Sequence, residues 1–465
     1  MSISDYKRDA LVAQEKLEEV SPTFCLAKWN QVSLHLPTGL TNSCYHPPLH
    51  KIDATKLDNN PAALHNTAEK LQQRELMLKG ERPDGCSYCW KMEDTGEMSD
   101  RHYRSGEPWA IQDFDAIKQN PMSTSWTPRY VEVNFNHACN FKCSYCSPQF
   151  STTWGKEIER YGEFPTTPPH NAPEHFQGRN RPIPNREHNP YVDAFWKWWP
   201  ELYKNLKHFR MTGGEPMMDH NTYKVFQYVI DHPKDDLHLN ITSNMCPPDP
   251  KLKQKYFNML QTICLQEKVE HVMQFVSVDT WGKQAEYQRH GLEFNRFWDN
   301  LNKILEKCPR VNTTIMSTYN ALSVPSYKKL LDGVYGLKKT YGSDDRYWNS
   351  AVFLDASYLR YPTHQTVQVL PQKWSMEILQ QAQYADYLGV PLFDTKHIGY
   401  SDIEIQKLKR LYDWMISAND KDSINRQRYN FGKFFKEHDI RRGTNFKETF
   451  PEFAEFYDDC QRIKL

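Results

Sequence analysis

Three cysteines stand close together in the chain. Cys139, Cys143 and Cys146 are separated by three and then two residues, and Tyr145 directly precedes the third. Cysteine thiolates bind zinc and the iron of iron–sulfur clusters. Because structural zinc and most clusters take four ligands, three thiolates leave one position open. A [4Fe–4S] cluster held by three thiolates would keep one iron free for an outside ligand. A zinc knuckle or three unrelated thiols is the alternative.

A second set of cysteines precedes the triplet and comprises Cys25, Cys44, Cys86 and Cys89. Four thiols ending in a Cys-x2-Cys pair complete the ligand set of an iron–sulfur cluster or of a zinc ribbon. The chain has eleven cysteines, an odd number, and no apolar secretory segment at its start. We therefore expect a cytoplasmic protein whose cysteines bind metal rather than form disulfides.

Charge and hydropathy argue against two classes of partner. The 58 lysines and arginines balance the 58 aspartates and glutamates, so no net charge favours nucleic acid or a membrane surface. The apolar runs of the 465-residue chain are only a few residues long, too short to cross a bilayer. We expect neither a membrane nor a nucleic-acid partner.

From about residue 130, the hydrophobic pattern repeats a strand, a loop and a helix, which predicts an α/β fold with a parallel sheet. The predicted strands begin at Tyr130, His208, Leu237, Val272, Val311 and Ala351. The predicted helices between them cover 192–205, 220–231, 250–266, 283–306 and 325–338. Chemistry in α/β barrels collects at the carboxyl ends of the strands.

The predicted domains follow from these patterns. They are a lead-in over 1–20, a cysteine-rich module over 21–105, an α/β core over 120–360 and a mostly helical extension over 361–465. The core contains a proline-rich insert at 163–191. Because loops of that length are usually functional or disordered, we predict a lid or substrate contact, with a simple surface insert as the alternative.

Polar residues follow the second and third predicted strands. Gly213-Gly-Glu215 combines glycines, which let the backbone approach a ligand, with a carboxylate that can accept from an ammonium group. A strand-ending turn is the alternative. Thr242-Ser-Asn244 supplies hydroxyl and amide groups suited to a carboxylate or a ribose, or else the N-cap of the next helix.

Further candidates follow in the chain. Ser277 and Asp279 alternate after the fourth strand, so their side chains lie on one face. Arg289 can grip a carboxylate with its guanidinium, although an exposed helical arginine is the alternative. Cys246 is a candidate catalytic thiol near the cavity, where it would quench a product radical, or else a small buried apolar residue.

These motifs together resemble the radical S-adenosylmethionine (SAM) superfamily. The resemblance lies in the cysteine triplet, the Gly-Gly-Glu after the second strand and the Ser-x-Asp after the fourth. It implies a partial (β/α)6 TIM-like barrel in which the triplet holds a [4Fe–4S] cluster and SAM chelates the open iron. The SAM contacts that it implies are Tyr145, Gly213, Gly214, Glu215, Thr242, Ser243, Asn244, Ser277, Asp279 and Arg289.

The N-terminal cysteines resemble the auxiliary-cluster module of the SPASM/twitch group, placed here before the core rather than after it. The likeness lies in a Cys-x3-Trp opening, a turn glycine and the closing Cys-x2-Cys. It implies a second [4Fe–4S] cluster on Cys25, Cys44, Cys86 and Cys89, which would serve as an electron relay or acceptor.

The resemblance also implies the reaction. One electron breaks a sulfur–carbon bond of SAM, and the resulting 5′-deoxyadenosyl radical takes a hydrogen atom from an unactivated carbon of the substrate. The substrate is a peptide or protein side chain or a small molecule, and the electron comes from an external flavodoxin- or ferredoxin-like reductant. Two other hypotheses stay open: a zinc-stabilised binding protein, and a protein whose clusters only transfer electrons.

Overall fold

The computed structural model describes residues 3–342, 351–389, 398–418 and 420–465. The chain divides into two compact units. The first comprises Met1–Asn136, Arg181–Gly213 and Asp236–Asn240, and the second comprises His137–Asn180, Gly214–Asp235 and Ile241–Leu465. The four-cysteine set therefore belongs to the first unit and the cysteine triplet to the second. The domain limits predicted from the sequence remain a prediction.

The fold is of the α/β class. Within the described ranges, nine strands form one mostly parallel sheet and two more form a small separate sheet. The strands are β1 (Gln31–His35), β2 (Leu40–Asn42), β3 (His50–Lys51), β4 (Tyr130–Asn134), β5 (Lys142–Cys143), β6 (His208–Thr212), β7 (Lys234–Ser243), β8 (Val269–Ser277), β9 (Arg289–His290), β10 (Val311–Tyr319) and β11 (Val352–Tyr358). An observed strand corresponds to each strand predicted from the hydrophobic pattern.

Helices cover much of the remaining described chain. They are α1 (Ile3–Glu18), α2 (Ala27–Asn30), α3 (Ala68–Leu78), α4 (Ser87–Asp94), α5 (Asp100–Gly106), α6 (Pro108–Ile111), α7 (Phe114–Gln119), α8 (Thr152–Tyr161), α9 (Pro190–Asn205), α10 (His220–Asp231), α11 (Pro250–Leu265), α12 (Gly282–Gln288), α13 (Phe294–Lys307), α14 (Tyr327–Tyr341), α15 (Trp374–Tyr387), α16 (Asp402–Ile416), α17 (Lys421–Arg442), α18 (Phe446–Thr449) and α19 (Ala454–Arg462). None of these helices combines the length and apolarity needed to cross a membrane.

In the first unit, β4 pairs in parallel with both β1 and β6, and β2 and β3 extend the sheet in antiparallel pairing. Alternate residues of these strands are apolar and buried, as a strand with one face on the core requires. Helix α9 covers this face: Phe195 lies 5.0 Å from Phe135 and Trp199 lies 4.9 Å from Phe209, measured between ring centroids. The aromatic contacts fix β4 immediately before the chain enters the cysteine loop.

In the second unit, β8, β10 and β11 form a parallel set. The helix predicted over 283–306 is wrong in one respect, because it is two helices with β9 between them. Gly291, with φ at +109°, makes the break. A Cβ there would lie 2.9 Å from the Asn140 carbonyl oxygen, so the close approach to the cysteine loop requires glycine.

The described part of the chain after residue 361 contains α15 to α19, and the extension as a separate domain remains a prediction. Helix α17 buries a row of phenylalanines, and Phe434 stacks on Phe164 with ring centroids 4.5 Å apart. Its C-terminal end is capped by Gly443 in the left-handed conformation at φ +63°.

Candidate functional site

The cysteine triplet lies on a loop that backbone pairing and hydrogen bonds fix from two sides. Strand β5 pairs with β9, which places Cys143 opposite Arg289. The Trp154 indole N–H donates to the Cys143 carbonyl over 2.9 Å. The three thiols remain half-buried. The pairing and the hydrogen bond therefore give the loop a defined shape.

Two donors point at the sulfur atoms of this loop. The Phe141 backbone N–H lies 3.4 Å from Cys139 Sγ, and Arg289 Nη1 lies 3.7 Å from Cys143 Sγ. Burial raises the pKa of the Cys146 thiol to about 12, and burial likewise raises the pKa of Cys143, which Arg289 partly offsets. Donors of this kind favour the thiolate, the form that binds metal.

The Gly213-Gly-Glu215 turn lies directly against the cysteine loop. A Cβ on Gly214 would come within 2.3 Å of the Ala138 carbonyl oxygen, and the Glu215 N–H donates to the same oxygen over 2.6 Å. Only glycine permits this approach. The turn is therefore more than the end of a strand, because it joins Glu215 to the residue that precedes Cys139.

The Glu215 carboxylate is buried and held by three donors. It accepts from Ser243 Oγ over 2.7 Å, from the Asn244 N–H over 2.6 Å and from the Met217 N–H over 3.0 Å. Burial raises the pKa of Glu215 to about 7, although all three hydrogen bonds lower it. A carboxyl in this state titrates near neutral pH and can serve as the acceptor for a cation.

The Thr242-Ser-Asn244 stretch supports this carboxylate rather than capping a helix. The N-cap of α11 is Asp249, so the N-cap alternative for this stretch is wrong. The Asn244 amide donates to Asn140 Oδ1 over 3.0 Å, which ties the stretch to the cysteine loop as well. Thr242 precedes these contacts on β7 and is half-buried.

Asp279 and Arg289 form a buried ion pair beside Cys143. The guanidinium Nε and Nη2 each donate to one carboxylate oxygen over 2.9 Å. Asp279 also accepts from the Tyr145 hydroxyl over 2.6 Å and from the Thr318 N–H over 2.8 Å. The alternative of an exposed helical arginine is wrong, since Arg289 is 7% exposed. Ser277 lies half-buried at the end of β8.

Two supporting residues were missed by the sequence reasoning. Arg442, at the end of α17, donates to the Lys142 carbonyl over 2.8 Å and forms a buried ion pair with Glu157 over 3.0 Å. Glu157 also contacts the Lys142 ammonium. The C-terminal segment thus fixes the loop that carries Cys143. Its sequence pattern indicates only a helix, and no signal in it points to a partner so far away in the chain.

The first part of the proline-rich insert is also tied to its surroundings. Asn171 Nδ2 donates to the Cys146 carbonyl over 3.1 Å, and Arg441 donates to the Gly162 and Glu163 carbonyls over 2.8 Å. Thr167 and Asn430 exchange two further hydrogen bonds. The insert therefore contacts the cysteine triplet through the hydrogen bond from Asn171 to Cys146. Its function as a lid remains a prediction.

Cys246, the candidate catalytic thiol, is 2% exposed. Its sulfur donates to the Glu293 carbonyl over 3.9 Å, and burial raises the pKa of its thiol to about 12. Its carbonyl accepts from the Asn140 amide over 2.8 Å. The residue thus lies next to the cysteine loop, and its radical-quenching role stays a prediction.

In the first unit, the four remaining predicted ligands line one narrow pocket: Cys25, Cys44, Cys86 and Cys89. Aromatic side chains of the core surround it, among them Trp90. Burial raises the pKa of Cys25 to about 11, and the neighbouring Cys44 and Cys86 raise it further. The structure therefore brings together four thiols that are up to 64 residues apart in the chain (89 − 25).

Three cations share this pocket: Lys28, Arg101 and Arg104. Lys28 is buried and donates to Gln73 over 2.6 Å, and Arg101 pairs with Glu93 over 2.9 Å. Across the residues with described positions, no three His, Cys, Asp or Glu side chains converge closely enough to hold a single metal ion.

Comparisons with known proteins add little to this geometry. A scan against protein-family models finds no match, and a search of the curated proteins finds none either. Among solved structures, the chain is similar to the crystal structure of Streptococcus suis SuiB, at 13% identity and a TM-score of 0.35. That similarity covers 77% of this chain and 68% of SuiB. A likeness at this level says nothing about chemistry.

Proposed function

We propose that the protein is a radical SAM enzyme. It would bind SAM at a [4Fe–4S] cluster on Cys139, Cys143 and Cys146 and cleave it reductively. The radical would then act on a peptide or small-molecule substrate. One observation carries the proposal: the hydrogen bonds of the second unit join the cysteine loop to Glu215 and to the Asp279–Arg289 pair.

The residues present fit an iron–sulfur cluster, because cysteine thiolates are its usual ligands. In a [4Fe–4S] cube each thiolate binds a different iron, so its ligands need not converge on one point as four zinc ligands do. Three half-buried cysteines on one loop supply thiolates of the kind that hold such a cube. When bound, the cluster would supply the electron that breaks the sulfur–carbon bond of SAM.

Glu215 is proposed to accept a hydrogen bond from the SAM ammonium group. Its carboxylate is oriented by Ser243, Asn244 and Met217, so little rearrangement would be needed on binding. Each donor also stabilises the ionised form of the carboxylate. Gly214, directly before it, lets the Ala138 carbonyl approach, which keeps the carboxylate next to the cysteine loop.

Arg289, which lies beside Cys143, is proposed as a second contact for SAM. An arginine has five N–H groups, and three of them are engaged by Asp279 and Cys143. Arg289 would donate to the SAM carboxylate with the remaining two, as the resemblance implies. Through the same pair, Arg289 would hold Asp279 and Tyr145 in place for contacts with the ribose and stabilise the thiolate of Cys143.

The pocket of the first unit is proposed to hold an auxiliary [4Fe–4S] cluster on Cys25, Cys44, Cys86 and Cys89. Four thiolates around a cube leave a net negative charge, and Lys28, Arg101 and Arg104 at the same pocket would offset it. A zinc ribbon is the alternative for this site. Metal content separates the two.

The affinity for SAM tests the site. We expect Glu215→Gln to weaken SAM binding by about 1.5–3 kcal/mol, because the charge-assisted contact to the ammonium group is lost. The matched control is Glu267→Gln, which removes an exposed carboxylate of the same unit. Calorimetric titration of the iron-loaded variants with SAM gives the comparison. Equal affinities in both variants would count against the proposed role of Glu215.

A further inference from the structure

An open groove of about 750 Å³ lies between α10 and α11 of the second unit. Its walls carry Lys224, Lys251, Lys255 and His220, and all four side chains are exposed. Within the described chain, no carboxylate lines the groove. The lining residues are spaced three and four apart along each helix, so they face one another across it.

Asp219 and Asp249 are the N-cap residues of α10 and α11. Asp219 is buried and accepts from the Asn221 N–H at the start of α10. Its Oδ1 lies 3.8 Å from His220 Nδ1. Asp249 accepts from the Lys251 backbone N–H at the start of α11. Both carboxylates therefore satisfy helix N-termini. The ammonium of Lys255 lies 4.6 Å from the centroid of the Tyr223 ring.

One wall of the groove is joined to the cysteine loop by short contacts. The Tyr223 hydroxyl donates to the Met217 carbonyl over 2.6 Å. The Met217 N–H donates to the Glu215 carboxylate over 3.0 Å, and the Glu215 N–H donates to the Ala138 carbonyl over 2.6 Å. Ala138 directly precedes Cys139. A molecule bound in the groove would thus be linked to the triplet through three hydrogen bonds.

We propose that this groove is the docking surface for an acidic electron-carrier protein. The inference rests on the proposed function, because reductive cleavage of SAM consumes one electron per molecule. The reduced carrier gives up that electron and is oxidised by one electron. The acceptor is the cluster that Cys139, Cys143 and Cys146 would hold. Complementary charge steers such encounters and sets the register of the two proteins.

The test uses the full-length, iron-loaded protein with flavodoxin as the probe. Lys251→Glu and Lys255→Glu are combined in one variant, and the matched control reverses Lys328 and Lys329, two exposed lysines of α14. Calorimetry gives the dissociation constant for oxidised flavodoxin at low and high salt. Formation of 5′-deoxyadenosine is measured with flavodoxin reduced by its NADPH-dependent reductase and, separately, with dithionite.

We expect the groove variant to bind flavodoxin at least about tenfold more weakly than the control and to lose most of its salt dependence. Its rate with flavodoxin should fall in proportion, while its rate with dithionite is unchanged. Unchanged flavodoxin affinity would overturn the proposal. Weakened binding of a single-stranded oligonucleotide with unchanged flavodoxin binding would overturn it too, because the groove would then serve a nucleic acid.

A second variant covers the case in which charge reversal lowers both rates equally. Lys251→Gln with Lys255→Gln removes the charges without adding new ones. A loss confined to the flavodoxin reaction supports docking, and an equal loss in both reactions overturns it. If the wild-type protein does not cleave SAM with dithionite, the proposed function fails. The flavodoxin dissociation constants still decide the docking surface in that case.

Discussion

The two cysteine sets differ in what surrounds their sulfur atoms. The triplet of the second unit lies on a loop with half-buried thiols, next to a titratable carboxylate and a buried ion pair. The four-cysteine pocket of the first unit lies in an aromatic core, with three of its thiols buried. An open ligand set beside polar groups suits a reacting centre, whereas a closed set in a core suits stability or electron transfer.

The difference extends to the cations near each set. Arg289 contacts both a sulfur and a carboxylate in the second unit, so it couples the cysteine loop to Asp279. At the pocket of the first unit, Lys28 donates to Gln73, Arg101 pairs with Glu93, and Arg104 lies 3.9 Å from Glu107 between Nη1 and Oε1. The first arrangement links a cysteine to a carboxylate through one guanidinium, whereas each cation of the second is held by its own neighbouring side chain.

Removing one thiol of the triplet should have the largest effect. We expect Cys143→Ala to lower SAM cleavage by more than the roughly 10–100-fold that loss of a supporting residue costs, because a ligand itself is lost. Iron in the four-cysteine pocket should remain. Cys460→Ala, at a buried cysteine in α19, is the control. Formation of 5′-deoxyadenosine is measured by chromatography. If Cys143→Ala still cleaves SAM, the triplet does not hold the cluster that cleaves it.

Removing two thiols of the four-cysteine pocket tests whether it holds a cluster of its own, separate from that of the triplet. Changing Cys86 and Cys89 together to alanine should release about four irons per chain, the content of one cube. Cleavage of SAM without substrate should persist, because the triplet is untouched. Iron analysis and 5′-deoxyadenosine formation are measured on the same preparation. Unchanged iron content would show that these cysteines are not ligands.

Breaking the ion pair between Arg442 and Glu157 should have the next largest effect, on the free energy of unfolding. Arg442→Met leaves Glu157 buried with one cation fewer, and we expect it to cost about 3–5 kcal/mol of unfolding free energy. Arg426→Met, at an exposed position on the same helix, is the control. Urea unfolding followed by fluorescence gives both values. Equal urea midpoints for Arg442→Met and Arg426→Met would mean that α17 does not stabilise the cysteine loop through Arg442.

The pH dependence of SAM binding should be the smallest effect. The pKa of Glu215 is raised to about 7, so its carboxyl is mostly protonated below that pH and ionised above it. Between about pH 6.0 and about pH 7.5 the ionised fraction rises roughly eightfold, and SAM should bind tighter by a similar factor. Glu215→Gln should abolish this slope. A wild-type affinity that weakens as the pH rises would contradict the role given to Glu215.

Much of the fold could be predicted because it depends on local patterns. Buried parallel strands such as β8 and β10 read as apolar runs, and the motif glycines mark close approaches of the backbone. The break after α12 was missed because the apolar periodicity continues through it. Gly291 is the signal that would have revealed it.

The interactions between distant residues could not be predicted in this way. The sequence predicts that Asp279 and Arg289 each contact SAM, and no local pattern shows that they also pair with each other. Arg442 reads as an ordinary helical arginine, because its partner Glu157 lies 285 positions earlier. Such contacts depend on the tertiary fold and leave no mark on periodicity or spacing.

We propose two separate clusters, one on the triplet and one in the four-cysteine pocket, with SAM cleaved at the first. The most direct measurement is anaerobic reconstitution, followed by counting of iron and sulfide and by addition of SAM with dithionite. We expect about eight irons per chain, four for each cube, together with 5′-deoxyadenosine. Zinc in place of iron, with SAM left intact, would contradict this proposal and favour a zinc-stabilised binding protein.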